Sequence, residues 1–327
     1  MKAIVLEKYG GPEEMKMKEI NKPVPGPHEV RIRVKAAGLN RADLQQRRGL
    51  YPPPQGASPI MGLEVSGEVE AIGTEVGKYQ PGDRVCALLA GGGYAEYAVV
   101  HEAMCIPLPE HMSFEQGAAI PEAYITAYFN VIELAGLKKG EKLLIHAGAS
   151  GVGIAAIHLS KEIGADAYVT AGSTEKINIC LSMGAANGWN YHSGSFLPWI
   201  QELTGGSGVD VILDMVGAPY LQDNMKALRM DGRMAVIGFM GGAKAEQFPL
   251  NLLLSKRLRM FGSTLRNQPI TRKAALIEQF QNRFGSLLRS SSFTPLIHSV
   301  IDWENIVEAH RIMENNENTG KIILRVH

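Results

Sequence analysis

The residues Ala147-Gly148-Ala149-Ser150-Gly151-Val152-Gly153 carry the clearest chemistry in the chain. They follow an apolar run, Leu143 to His146, that reads as a buried strand, and they open a segment, Val152 to Ile163, with helical spacing of its apolar residues. A strand that turns through glycines into a helix N-terminus offers backbone N–H groups and the positive end of the helix dipole to a pyrophosphate. Gly148, Gly151 and Gly153 form a variant of the dinucleotide spacing, and their place at the head of several strand–helix repeats is what gives them meaning. Two competing motifs fail. A P-loop needs Lys then Ser or Thr after Gly153, where Ile154 and Ala155 stand, and a nucleophile elbow needs glycine where Val152 stands.

The next strand, Ala167 to Ala171, runs into Gly172-Ser173-Thr174-Glu175-Lys176. Enzymes that hold the ribose 2′-hydroxyl of NAD place Asp or Glu at that strand end. Here glycine, hydroxyls and a lysine one turn along predict a 2′-phosphate pocket, so NADPH is the expected cofactor. Glu175 lies past the strand end and is expected to face solvent. The structural alternative makes Ser173 a helix cap and Lys176 a solvated lysine. His146, at the end of a buried strand, reads as a core residue rather than a base, and His101, His111 and His310 have no motif around them.

These groups need a scaffold, and the texture of the chain supplies two. Up to about Glu122, short alternating segments separated by Pro and Gly (Val30 to Ala36, Gly67 to Ile72, Arg84 to Leu89) predict a β-rich domain. Beyond it, apolar strands alternate with helices, continuing at Val209 to Asp214, Arg233 to Gly238 and Arg259 to Ser263, as expected of βαβ units around a parallel sheet. The tail holds a helix at Thr271 to Leu288, a strand at Leu296 to Val300, a helix at Trp303 to Glu314 and a strand at Lys321 to Val326. It is too short for a third domain. The expected organisation is one β-rich domain, residues 1–122 plus 267–327, interrupted by a dinucleotide-binding domain, residues 123–266.

Composition agrees with this and excludes other classes. Glycine supplies 36 of the 327 residues, above an average near 7%. Lys plus Arg and Asp plus Glu both number 33, so no net field draws the chain to nucleic acid or to an anionic membrane. No run of about 18 apolar residues exists to span a membrane. Met1 to Leu6 reads as a first strand, not a leader. Cys86, Cys105 and Cys180 are too few and too scattered for a disulfide framework, which points to a reducing, cytoplasmic setting.

Read in order, Leu39-Asn40-Arg41-Ala42-Asp43-Leu44, Tyr51-Pro52-Pro53-Pro54, Gly62-Leu63-Glu64-Val65-Ser66-Gly67, Gly92-Gly93-Tyr94-Ala95-Glu96-Tyr97, His146-Ala147-Gly148 and Gly238-Phe239-Met240-Gly241-Gly242 resemble the zeta-crystallin-type quinone oxidoreductases. These are zinc-free members of the medium-chain dehydrogenase/reductase superfamily. Ile120-Pro121-Glu122-Ala123 and Thr170-Ala171-Gly172-Ser173 place the resemblance nearest the stress-induced branch. The resemblance implies a GroES-like catalytic domain interrupted by a doubly wound Rossmann domain. It implies NADPH-dependent reduction of a quinone, to semiquinone in this family, in a cleft between the domains. Asn40, Asp43 and Tyr51 are the implied catalytic residues, the amide and the phenol being able to hold substrate oxygens without titrating. Asp43 also admits a helix-start or ion-pair role, and Tyr51 a packing role before the proline turn.

Thr126, Ser150, Gly151, Val152, Tyr191, Gly217, Phe239 and Met240 are implied to line the cofactor, with Leu265 and Arg266 closing over it. Asn40 and Leu63 stand where zinc relatives place ligands and cannot serve a zinc ion, so no metal is expected. Met260 to Leu265 resembles the edge strand that pairs across a two-fold axis, which implies a homodimer. Two alternatives remain at this point. One is an enone or alkenal double-bond reductase, and the other a noncatalytic, crystallin-like NADPH-binding protein.

Overall fold

The computed structural model describes the whole chain, Met1–His327. The chain divides into two compact units, Met1–Ile125 with Leu265–His327, and Thr126–Thr264. No helix is long and apolar enough to cross a membrane.

The first unit begins with strands β1 (Lys2–Leu6), β2 (Met15–Glu19), β3 (Glu29–Gly38), β4 (Glu64–Ile72), β5 (Arg84–Leu88), β6 (Tyr97–His101) and β7 (Cys105–Pro107). In β3 the alternation read from sequence is the alternation of burial. Val30, Ile32 and Val34 are in the core, and of the residues between them Arg31 is half-buried and Arg33 exposed. β3 pairs antiparallel with β4, from Val30 opposite Ile72 to Ala37 opposite Val65.

The second unit is a single sheet of six strands, β8 (Lys142–Ile145), β9 (Asp166–Ala171), β10 (Asn187–Asn190), β11 (Val209–Asp214), β12 (Leu228–Val236) and β13 (Arg259–Gly262). All pairs are parallel and the order is β10-β9-β8-β11-β12-β13. This is the doubly wound arrangement, and the order reverses between β8 and β11, where such sheets open a crevice at their carboxyl ends. Leu144, Ile212 and Met234 of three neighbouring strands are fully buried in one cluster. β12 begins earlier than the sequence suggested and stops before Gly238. A register irregularity between Val209 and Val211, with Asp231 at φ 61°, accommodates the added residues.

The chain then returns to the first unit through the helix Ile270–Arg289 and strands β14 (Ile297–Asp302) and β15 (Lys321–Arg325), with the helix Ile306–Glu314 between them. β15 pairs antiparallel with β3, Ile323 opposite Gly38, and carries β14 on its other side. Strands from both ends of the chain thus share one seven-stranded sheet, β14-β15-β3-β4-β5-β7 with β6 on β3. The division falls three residues beyond Glu122, inside the helix Pro121–Ala127, and Leu265 and Arg266 lie in the β-rich unit rather than in the dinucleotide-binding one.

One buried cation secures the second unit. Arg233 of β12 holds Glu141 through both carboxylate oxygens, at 3.0 and 2.7 Å, and donates to the carbonyls of Ala135 and Gly136 at 2.8 and 3.0 Å. It ties the segment entering β8 to a strand two places away. R233M leaves those carbonyls without donors, and we expect a loss of about 3 kcal/mol. Urea denaturation followed by Trp189 and Trp199 fluorescence measures it, and an unchanged midpoint would contradict the role.

Candidate functional site

In the second unit the turn after β8 is built by steric exclusion. Ala147 takes the left-handed conformation, φ 51°, that a glycine would adopt more easily. The glycines serve close approach instead. A Cβ on Gly148 would lie 2.5 Å from the Val169 side chain, and one on Gly153 would lie 2.4 Å from the Gly148 carbonyl oxygen. The Gly148 N–H donates to Thr170 O at 2.9 Å, fixing the turn against β9. Ser150 caps the helix Gly151–Ile163, its Oγ accepting the Gly153 N–H at 3.1 Å. Gly151 and Val152 occupy the first turn, where backbone N–H groups have no intrahelical acceptor. Ser150 Oγ also lies 3.6 Å from Met215 Sδ, so the turns after β8 and β11 face one another.

The neighbouring strand ends complete this surface. Ser173 caps the helix Thr174–Met183 by accepting the Lys176 N–H at 3.2 Å, Lys176 is half-buried, and Glu175 is exposed. A Cβ on Gly172 would meet the Tyr191 hydroxyl at 2.5 Å, which brings Tyr191 to the end of β9. Gly217, at φ 87°, donates to Asp214 Oδ1 at 3.1 Å and bridges to Gly242. Gly238 follows β12, and Phe239 and Met240 after it stand 63% and 48% exposed, large apolar surfaces of the kind a ligand covers. Thr126 lies at the start of the unit, its carbonyl accepting from Asn130, which in turn accepts the Ser263 hydroxyl.

His146 is a core residue, as expected. Its ring nitrogens lie 3.0 Å from Thr170 Oγ1 and 2.7 Å from Asn224 Oδ1, and Asn224 donates to Asp214. Burial lowers its pKa, with Asp214 and Asn224 opposing. The network joins the ends of β8, β9 and β11 beneath the turns.

In the first unit, Asn40, Asp43 and Tyr51 have different surroundings. Asp43 is fully buried in the helix Arg41–Arg47. Its oxygens accept the Asn40 N–H at 2.8 Å, the Tyr94 hydroxyl at 2.9 Å and the Gly62 N–H at 3.2 Å. It therefore holds Asn40 in place, the helix-start role, and has no surface to offer an acceptor. Burial raises its pKa to about 6 against those donors and Lys321.

The half-buried Asn40 side chain donates to Glu64 Oε1 at 2.9 Å and accepts from Lys321 Nζ at 2.6 Å. Lys321 also bonds Glu64 Oε1 at 2.6 Å and the Leu39 carbonyl at 2.7 Å. Tyr51 is half-buried with its ring beside the Arg266 guanidinium, 5.3 Å from centroid to Cζ. Burial and the nearby Glu122 raise its phenol pKa, and Arg266 opposes them.

Leu265 and Arg266 differ from expectation. Leu265 is core of the β-rich unit. Arg266 is 3% exposed, its donors committed to Ala90 O, Tyr51 O and Gln46 Oε1, so here it supports Tyr51. Sequence reasoning assigned no role to Glu64, Glu122 and Lys321. The available signal was a charged residue set in an apolar strand, as in Met61-Gly62-Leu63-Glu64-Val65 and Lys321-Ile322-Ile323-Leu324. A cavity of about 320 Å³ elsewhere in this unit, lined by Tyr79, Glu102 and Glu278 among others, includes none of the residues above.

Comparison with known proteins follows the same two-part division. Residues 26–110 match the family described as alcohol dehydrogenase GroES-like domain, and residues 151–282 the family described as zinc-binding dehydrogenase. Together they define a medium-chain dehydrogenase/reductase, although no three His, Cys, Asp or Glu side chains are grouped here to hold an ion. The human protein named quinone oxidoreductase is 32% identical over 99% of this chain and 97% of its own length. The structure of Escherichia coli quinone oxidoreductase complexed with NADPH superposes with a TM-score of 0.89, at 29% identity over all of both chains. That of an NAD-dependent alcohol dehydrogenase superposes at 0.88, with 32% identity over all of both chains. The chain belongs to the quinone oxidoreductase family and is an oxidoreductase.

D43A leaves the Asn40 and Gly62 N–H groups and the Tyr94 hydroxyl without an acceptor, and we expect a loss of about 3 kcal/mol. Because the folded pKa of Asp43, about 6, lies above the reference value of 3.8, its contribution to stability is greatest in acid. The gap between wild type and D43A should narrow as pH rises from about 4 to about 6, then level off. Denaturant titrations across that range test the sign.

Proposed function

We propose that the protein is an NADPH-dependent, metal-independent quinone reductase. The observation that carries the reading is the glycine turn between β8 and its helix, facing the turn after β11 where the strand order reverses, within a chain of the quinone oxidoreductase family. The residues present fit a dinucleotide. The Cβ-free positions Gly148 and Gly153 and the first-turn N–H groups of Gly151 and Val152 suit a pyrophosphate. Gly172, Ser173, Lys176 and Tyr191 offer room, hydroxyls and a cation to a 2′-phosphate, and the exposed Glu175 carboxylate, beside the Ser173 hydroxyl, is the opposing charge. Phe239, Met240, Gly217, Gly238 and Thr126 would surround the nicotinamide half.

When bound, the reduced nicotinamide supplies hydride. The protein's share is to orient the acceptor and exclude water, effects that in well-aligned pairs are worth about 7–11 kcal/mol. In this reading Asn40 and Tyr51 hold the quinone oxygens, Asp43 and Lys321 hold Asn40, and Arg266 holds Tyr51. Asn40 and Leu63 cannot serve a zinc ion, so alcohol oxidation assisted by a Lewis acid is not expected. The outer edge of β13 has no strand partner within the chain, and we propose that it pairs with a second copy to form a homodimer. Analytical ultracentrifugation tests that arm.

The test of function is NADPH oxidation with ortho- and para-quinones, enones and primary alcohols, with and without chelator. Quinone turnover unaffected by chelation is expected. Turnover confined to enones would favour the double-bond reductase, and no turnover with any acceptor the noncatalytic protein. K176A should raise KM for NADPH about 10-fold and leave KM for NADH unchanged. Equal KM values for the two cofactors in wild type would remove the 2′-phosphate assignment.

A further inference from the structure

Asn187 and Gly188 open β10, and they form the only Asn-Gly step in the chain. β10 is an outermost strand of the parallel sheet, paired with β9 on one side and with no strand on the other. Gly188 is not a turn residue, since its φ is not positive. Packing accounts for it: a Cβ there would lie 2.5 Å from the Ile177 side chain and 3.2 Å from that of Val169. With no side chain of its own, it leaves the amide before it unshielded.

The half-buried Asn187 side chain folds back on its own backbone. Its Oδ1 accepts the Gly188 N–H at 2.8 Å, which sets the amide carbon Cγ, one bond from that oxygen, beside the nitrogen of the next peptide. A nitrogen and a carbonyl carbon held together in this way need no large chain motion to react. Other asparagines are engaged elsewhere. Asn190 Oδ1 accepts the N–H two residues on, from His192, while Asn224 is held by His146 and Asp214 and Asn40 by Glu64 and Lys321.

We propose that Asn187 is a site of spontaneous deamidation that disables the end of β10. The Gly188 nitrogen loses its proton to hydroxide and attacks Asn187 Cγ. A C–N bond forms, the Cγ–Nδ2 bond breaks, and ammonia leaves a cyclic imide. Water then opens the ring at either carbonyl. Opening at Cγ gives aspartate, and opening at the main-chain carbonyl gives isoaspartate, whose backbone runs through Cβ and Cγ. Nothing is oxidised or reduced. Isoaspartate lengthens β10 by a methylene ahead of the pairs Gly188 with Val169, Trp189 with Thr170 and Asn190 with Ala171, so these slip relative to β9. Tyr191, which follows directly and reaches Gly172 at the end of β9, is carried with them. The effect on a cofactor rests on the NADPH reading of that pocket, whereas the modification does not.

The experiment stores the full-length wild type and the variants N187D and N187Q at neutral and at alkaline pH. Digests are then read by mass spectrometry with electron-transfer fragmentation, which separates aspartate from isoaspartate. Asn187 should convert before any other asparagine, to a mixture of both products, and faster in alkali. Tryptophan fluorescence should change in step with isoaspartate in wild type and stay constant in N187Q. The aged wild type should bind NADPH about 10-fold more weakly, while N187D, with aspartate on a backbone of normal length, keeps the affinity of fresh wild type. Persistence of Asn187 while other asparagines convert, or aspartate as the sole product, overturns the proposal. Isoaspartate formation with undiminished NADPH affinity would uphold the modification and remove Tyr191 from the 2′-phosphate pocket, so the two readings fail separately.

Discussion

The β-rich unit depends on one buried charge and its compensation. Glu64 sits on β4 with no solvent exposure, where an isolated carboxylate would be held only at a cost of several kcal/mol. Its counter-ion, Lys321, stands on β15 at the far end of the chain and reaches it only because β15 pairs with β3. Closing the sheet with a strand from the C-terminus and neutralising Glu64 are thus the same event. The pair is also what places Asn40, whose amide is held between the two charges, and it leaves Glu122 beside a carboxylate with its own Oε2 buried and without a hydrogen-bond partner. Replacing either partner by an apolar residue would expose the other to an uncompensated interior, so a packing position and a site position cannot be separated here.

The parallel sheet solves a different problem, bringing backbone segments close to one another at its carboxyl ends. Its turns are short and lie over the His146, Thr170, Asn224 and Asp214 network, which ties three strand ends together below the surface. The left-handed conformation falls on Ala147, while the neighbouring glycines Gly148 and Gly153 serve close approach.

Much of this was legible in the residues. Alternation in β3 and the apolar runs of β8, β9 and β11 made the two kinds of sheet distinguishable, because a half-buried strand and one buried on both faces carry different patterns. The glycine turn, the capping roles of Ser150 and Ser173 and the core place of His146 follow from local rules that need no distant partner. Asp43 was open between two roles, since a carboxylate three residues after Asn40 suits a helix start as well as a ligand. Arg266 was read beside Leu265 as part of the parallel-sheet domain because sequence neighbours were its only visible context, and its true partners, Gln46, Tyr51 and Ala90, lie far back in the chain.

By itself, then, the sequence determined the element types, the interrupted order of the two units and the glycine turn from strand into helix, all consequences of periodicity and backbone stereochemistry acting over a few residues. Only the tertiary structure decided which charges meet. Lys321 reaches Glu64, Arg266 supports Tyr51, and Glu122 is left without a donor because sheet pairing brings together residues from distant segments of the chain. Desolvation and those neighbours then shift the titration of Tyr51, Arg266 and Glu122.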